Sequence, residues 1–520
     1  MIAHAASETL RFRTFIAHRL GLHFDEAKLE SLSAILDWRS EKRNLTPRAY
    51  LDRLETADMD AELQSLAQEL TVPETYFFRH IDQFHAFADV ALPRAQSARA
   101  STRNLRLLSA GCASGEEPYS LAMTMRERGA DQGWNIAIHA FDINPAMLLK
   151  AAAGTYSAWA LRETPPESQR RWFRSTDKSF ELDPSIRAAV TFREVNLAQE
   201  NTDLWPAQMY DVIFCRNMLM YFTPEGAQAL VARMTRSLAP GGHLFLGHAE
   251  TLRGLSSDYH LCHTHGAFYY QRKDPHNDIG PERIGSGAAA AWQRDSKYGA
   301  VPEPDVPTAG SSEANNWVQT IQRASDRIQL LTERPTAALA LRAGGGHRPE
   351  DQTATQLQLA LELLKQERFS DALELIGRLP VESDKDPDVL LLRAALLTHS
   401  GRLADAEHVS SLLLARDELN TGAHYLLALC RESAGDTQGA LDHDQAAIYL
   451  DPEFAMPHLH LGLMARRAND LESARRELAQ ALVLLQREEV SRLLLFGGGF
   501  GRDALIALCK AELKTAGGAP

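Results

Sequence analysis

The chain has 520 residues, enough for two or three domains, and 44% of them are hydrophobic, an ordinary globular proportion. A net charge of −13 disfavours non-specific nucleic-acid binding, and no run reaches the roughly 18 apolar residues that insert across a bilayer. The scattered Cys112, Cys215, Cys262, Cys430 and Cys509 form no CxxC, which predicts reduced thiols in a cytoplasmic protein, without a disulfide frame or a metal site. The first residues lack the charged and apolar parts of a signal peptide.

Residues 8–70 read as helices: Leu29, Leu32, Ile35 and Leu36 follow helical spacing, and Tyr50, Leu51 and Leu54 do so after Thr46-Pro47. Arg39, Lys42, Arg43, Arg48 and Arg53 face only Glu41 and Asp52 in this stretch. Either they coat a solvated helix face, or they form a basic patch that steers an acidic helical partner. Tyr76-Phe-Phe-Arg79 then closes the helical region, as an apolar plug or as part of a site.

Leu105 to Leu121 reads strand, glycine turn, helix. Gly111 and Gly115 allow a tight turn and a close backbone approach, and Glu116-Glu117-Pro118 opens the helix. His139–Asn144 predicts a second strand ending in Asp142, where nucleoside-binding α/β folds place an acid on the ribose. Paired carboxylates after the glycines would repel a pyrophosphate but accept bonds from an ammonium, so S-adenosylmethionine fits better than a dinucleotide. Strand and helix patterns alternate from Leu105 to Lys273, predicting a mainly parallel sheet covered on both faces. Two short strand candidates, Ser179–Leu182 and Ala189–Arg193, interrupt it around Asp183-Pro184. Tyr210–Cys215 reads as a buried strand with Arg216-Asn217 at its carboxyl end, where open sheets bind ligands. Pro240-Gly241-Gly242 predicts a turn into the strand His243–Gly247, and His248 follows with a structural or cofactor-shaping role.

Six blocks carry a resemblance: Glu74–Arg79, Ala113–Ser120, Phe141–Asn144, Val195–Leu197, Ile213–Phe222 and Pro240–Glu250. In that order they resemble the CheR-type chemotaxis receptor methyltransferases, over roughly residues 8–273. The resemblance implies that Thr75, Arg79, Glu117, Asp142, Asn196, Leu197, Arg216 and Asn217 contact S-adenosylmethionine, beside the cradle glycine Gly111. It also implies that Arg79 and Tyr221 flank the methyl-transfer centre, and that the N-terminal helices meet the methylation helices of a chemoreceptor's cytoplasmic domain. Pro73 departs from the family's asparagine, and Ala249 from its frequent serine. The segment Arg174–Lys178 has no glycine. Substrate recognition is therefore expected to work without the receptor pentapeptide that some members bind on their small β-subdomain.

From Asp274 to about Gln352 the composition turns to linker chemistry, with one helix expected over 317–332. Beyond it, Phe369, Leu403, Thr437 and Leu471 are spaced by 34 residues, as are Ala372, Ala406, Ala440 and Ala474. That period is the tetratricopeptide signature and implies a concave surface for an unidentified protein partner. Gly497–Gly501 breaks the helix, and Arg502–Lys514 reads as a capping helix.

The expected architecture is an α/β fold. A helical domain (1–80) precedes a Rossmann-like class I methyltransferase domain (81–273) with a small β-subdomain at about 156–194. A flexible linker (274–352), an all-α tetratricopeptide solenoid (353–489) and a cap with tail (490–520) complete it. The expected activity is methyl-ester formation on receptor glutamates. The alternatives are a scaffold with a weak or silent catalytic domain, and a methyltransferase acting on another carboxylate.

Overall fold

The computed structural model describes residues 2–56, 60–71, 74–200, 203–275, 349–366, 368–379, 383, 385–498 and 500–517. Nearly all of the expected linker, including the helix expected over 317–332, lies outside these residues. The chain divides into two compact units, Met1–Pro281 and Glu282–Pro520.

The strands of the first unit are β1 (Asn104–Ala110), β2 (Asn135–Asp142), β3 (Thr155–Tyr156), β4 (Phe173–Ser175), β5 (Phe180–Leu182), β6 (Val190–Glu194), β7 (Tyr210–Cys215), β8 (Leu238–Leu246), β9 (Tyr259–Thr264) and β10 (Ala267–Arg272). Seven form one sheet in the order β6-β2-β1-β7-β8-β10-β9. Its first five strands run parallel, and β10 runs antiparallel to both neighbours. Every residue of β7 is buried, as a central strand covered on both faces requires. The order reverses between β1 and β7, so the carboxyl ends of β1, β2 and β7 open onto the crevice where such sheets take ligands.

Local sequence sets the turns at that end. Gly115 stands at φ +92 as the N-cap of Glu116–Glu127, and a Cβ there would come within 2.9 Å of Ala151. Asn144 caps Pro145–Ala153 by accepting from the N–H groups of Ala146 and Met147.

The small sheet differs from the expectation. It pairs β3, β5 and β4, whereas β6 leaves it and joins the large sheet beside β2, with Ile138 opposite Val190 and Asp142 opposite Glu194. A short strand pattern shows that a strand forms but not which sheet takes it. The parallel register then carries Val195–Leu197 alongside Asp142, through the bond from the Val195 N–H to the Asp142 carbonyl at 2.9 Å.

The N-terminal helices (Ile2–Leu20, Leu29–Lys42, Pro47–Thr56, Asp60–Leu70) close around Phe12, Ile16, Leu32, Leu36, Leu51 and Leu66. Both readings of the basic stretch need correction here. Arg39 is buried, pairing with Glu62 and, at 2.9 Å, with Glu69. Arg43 also pairs with Glu62, whose carboxylate accepts from the Tyr50 hydroxyl at 2.7 Å. Two of the five cations therefore serve the domain's own polar core, while Lys42, Arg48 and Arg53 stay exposed.

The second unit is helical. Phe369–Ile376, Leu403–Leu414, Thr437–Leu450 and Leu471–Leu485 each follow a partner helix: Pro349–Lys365, Pro387–His399, Thr421–Ser433 and Ala455–Arg467. The 34-residue period thus falls on the first residue of each second helix. Ala372, Ala406, Ala440 and Ala474 are fully buried where paired helices touch. Gly401, Gly435 and Asn469 share a positive φ at the turn between them. Two further helices follow, Val490–Phe496 and Arg502–Thr515, and the latter packs on Leu471–Leu485. No described helix is long and apolar enough to cross a membrane.

Candidate active site

A cavity of about 290 Å³ lies at the carboxyl ends of β1, β2 and β7. Thr75, Arg79, Gly111, Glu117, Asp142, Asn196, Leu197, Arg216, Asn217 and Tyr221 all line it. They come from five separated stretches of chain, 75–79, 111–117, 142, 196–197 and 216–221, and the sheet order brings them together.

Tyr76–Arg79 acts as plug and site at once. The Phe77 ring meets Tyr156 edge-on at 4.7 Å and Phe173 at 4.9 Å, and Phe78 is buried with it. Tyr76 and Arg79 instead face the cavity. Arg79 Nη1 donates to the Glu74 carbonyl at 3.0 Å, which steadies the head group while leaving other donors available.

Gly111 stands at φ +80, and a Cβ on it would meet the Met218 side chain at 2.4 Å. The glycine turn is therefore needed for both conformation and space. The two adjacent acids part company. Glu117 lines the cavity, accepting from Ser109 Oγ at 2.7 Å and from Arg216 Nη1 at 3.3 Å. Glu116 turns away into the interior, where the Ser114 hydroxyl holds it at 2.8 Å, so the expectation that both acids serve one ligand is corrected to Glu117 alone. Successive helical residues point about 100° apart, which makes the split unavoidable.

Asp142 accepts from the Ala113 N–H at 2.7 Å and the Asn144 N–H at 2.8 Å, one on each oxygen, and so fixes the glycine loop against β2. Burial raises the pKa of Asp142, against these backbone donors. Burial likewise raises Glu117, opposed by Arg216 and Ser109. It lowers Arg216, which Glu117 partly restores. Three charged groups are thus held out of water around an open volume, with partial mutual pairing. Arg216 Nε has no hydrogen-bond partner although it is buried. Burial also raises the phenol of Tyr221, which keeps its proton at neutral pH and remains a hydrogen-bond donor.

Several contributors escaped the sequence reading. Leu20 and Leu22, from the N-terminal helical domain, line the cavity, with Ile143, Met147 and Val195 as further apolar wall. The His23 N–H donates to the Tyr221 carbonyl at 2.7 Å, and Asn196 Nδ2 donates to the Arg19 carbonyl at 2.9 Å. Asn196 therefore spends its amide on tying the helical domain down as a wall. Glu250, the last residue of the sixth block, organises the Arg216–Tyr221 loop. Its carboxylate accepts from the N–H groups of Asn217 (2.7 Å), Leu219 (2.8 Å) and Gly247 (2.7 Å). His248 itself stacks on His80 at 5.7 Å and is not among the lining residues. The thiols of Cys112 and Cys215 are buried and pushed up by that burial, which suits packing.

These residues fit S-adenosylmethionine: a carboxylate and an arginine for the amino-acid end, an acid for the ribose and an apolar wall for the base. A family model described as the CheR methyltransferase SAM binding domain matches residues 73–268. Chemotaxis protein methyltransferase 2 of Vibrio cholerae is 34% identical over 254 residues, covering 48% of this chain and 88% of that protein. Chemotaxis protein methyltransferase 1 of Pseudomonas aeruginosa is 31% identical over 268 residues, covering 50% of this chain and 96% of that protein. A probable biofilm formation methyltransferase, WspC, of Pseudomonas putida is 27% identical over 475 residues, 90% of this chain and 96% of that protein.

Proposed function

The chain belongs to the CheR family of methyltransferases, and from that premise we propose that it forms methyl esters on glutamate side chains in the methylation helices of a chemoreceptor's cytoplasmic domain. Such an enzyme would work in the cytoplasm and tune a chemosensory pathway. The likeness to WspC extends across most of the chain, which favours an output of the biofilm kind over motility alone.

The observation that carries this reading is the single cavity at which Arg79 and Tyr221 meet Glu117, Asp142 and Arg216. S-adenosylmethionine, when bound, supplies a methyl group made electrophilic by its sulfonium. Glu117 holds the ammonium of the methionyl part, and Asp142 takes the ribose hydroxyls. The substrate glutamate is ionised at neutral pH and needs no general base. Arg79 draws that carboxylate to the methyl, and the Tyr221 hydroxyl orients it. Leu20, Leu22 and the loop tied by Glu250 exclude water, so the protein's contribution is alignment and desolvation. Lys42, Arg48 and Arg53 remain to steer an acidic receptor helix. The repeats, read as 353–489, hold a protein partner on their concave face.

The test is transfer of labelled methyl from S-adenosylmethionine to purified receptor cytoplasmic fragments. Label released by mild alkali supports carboxyl methylation. Label that is alkali-stable, or found only on small acids, overturns the proposed substrate.

A further inference from the structure

The first helices Pro387–His399 and Thr421–Ser433 pack against each other, and the face they form, taken as the concave one, is partly covered by the chain itself. Val490–Phe496 leaves the end of the stack and crosses these helices. The Phe496 ring packs on Tyr425 at 5.9 Å and Phe454 at 5.2 Å. His399 meets the Leu495 carbonyl at 2.9 Å, well back towards the first pair. Arg492 lies over the Phe454 ring at 4.4 Å and pairs with Asp451 at 3.0 Å and Glu488 at 3.3 Å. Arg492, Leu493 and Phe496 are buried, whereas Val490 is 76% exposed. This is a short helical turn laid into a groove by three anchors, Arg492, Leu493 and Phe496.

Its attachments suit release. At seven residues it is too short to persist as a helix alone. Gly497, Gly498 and Gly501 follow it, with Gly498 at φ +64, and the next helix keeps its own packing on Leu471–Leu485. The groove is also shaped to the segment: a Cβ at Gly422 would stand 2.7 Å from the Phe496 ring.

We propose that Val490–Phe496 is a built-in occupant of the concave face, and that the partner of the repeats displaces it with a helical segment of like chemistry, an arginine followed by large apolar residues one and four positions on. This deepens the reading of the repeats as a partner-binding module and rests on it.

The experiment titrates a fluorescein-labelled peptide of residues 489–498 into the full-length chain, its Gly422→Ala variant and its Phe496→Ala variant. Circular dichroism confirms that each is folded, and hydrogen exchange follows amides 491–497. A groove closed in cis lowers apparent affinity by the closed fraction, so Gly422→Ala and Phe496→Ala should expose those amides, and Phe496→Ala should bind the peptide at least about tenfold more tightly than the native chain. A peptide carrying Arg492→Glu should not compete. Amides that stay protected in both variants would show a permanent part of the core and overturn the built-in occupant. Exposed amides without peptide binding would overturn the docking surface. Methyl transfer to receptor fragments, read in parallel, is independent of either outcome and reports on the catalytic reading alone.

Discussion

One group of buried ionisable side chains in the repeats and another at the cavity of the methyltransferase domain are used differently. In the repeats, buried charges find each other. His460 bridges Asp444 at 2.6 Å and Glu432 at 2.9 Å, His458 meets Glu477 at 2.8 Å, and Arg492 meets Asp451 at 3.0 Å. At the cavity, Glu117, Asp142 and Arg216 line an open volume, and the buried Arg216 Nε has no hydrogen-bond partner. Charges paired with one another across helices hold a fold; charges gathered around an open volume are placed for a ligand.

The largest test of that contrast is His460→Ala. It leaves Asp444 buried without its partner and should cost about 3–5 kcal/mol in denaturant unfolding of the repeats. By comparison, Arg79→Ala should leave stability nearly unchanged while methyl transfer falls about 10²-fold or more. Turnover at the native rate would remove Arg79 from the centre. Glu250→Gln, which weakens the carboxylate holding the 216–221 loop, should lower turnover about tenfold with little change in receptor affinity.

pH sharpens the comparison further. Burial raises both Glu117 and Asp142, so each binds a proton at higher pH than an exposed carboxylate, ordinarily about 4. In the proposed roles, only their ionised forms would hold the cofactor. Affinity for S-adenosylmethionine should therefore weaken on acidification from above that range, by up to about tenfold per pH unit for one proton. Calorimetric titration across pH 4–8 checks this, and a flat profile would remove both acids from the site. The smallest effect is expected from Arg402→Ala. It breaks only the exposed pair with Asp405 and should shift repeat stability by less than about 0.5 kcal/mol.

Local pattern made much of this architecture legible. The 34-residue spacing identified the residues that begin the second helices, because buried Ala372, Ala406, Ala440 and Ala474 recur with the contact they serve. The strand–glycine–helix stretch and Arg216-Asn217 fall at strand ends, where parallel sheets open, so their meeting at one cavity follows from topology. What depended on distant partners was not legible. Arg39 looked like surface charge because Glu62, 23 positions on, belongs to another helix. Strand β6 showed its period but not its neighbour. Leu20 and Leu22 reach the cavity through the docking of a whole helical domain. Val490–Phe496 read as part of a terminal cap, since nothing local shows that a short apolar turn folds back across its own repeats.

The most direct measurement is the binding isotherm of S-adenosylmethionine for the full chain at pH 7, beside that of Asp142→Ala. The predicted result is one site on the native chain, with affinity at least about tenfold weaker in the variant, because the acid that receives the ribose is gone. Equal affinities, with both chains folded, would contradict the claim that the buried charges of this unit are held for the cofactor.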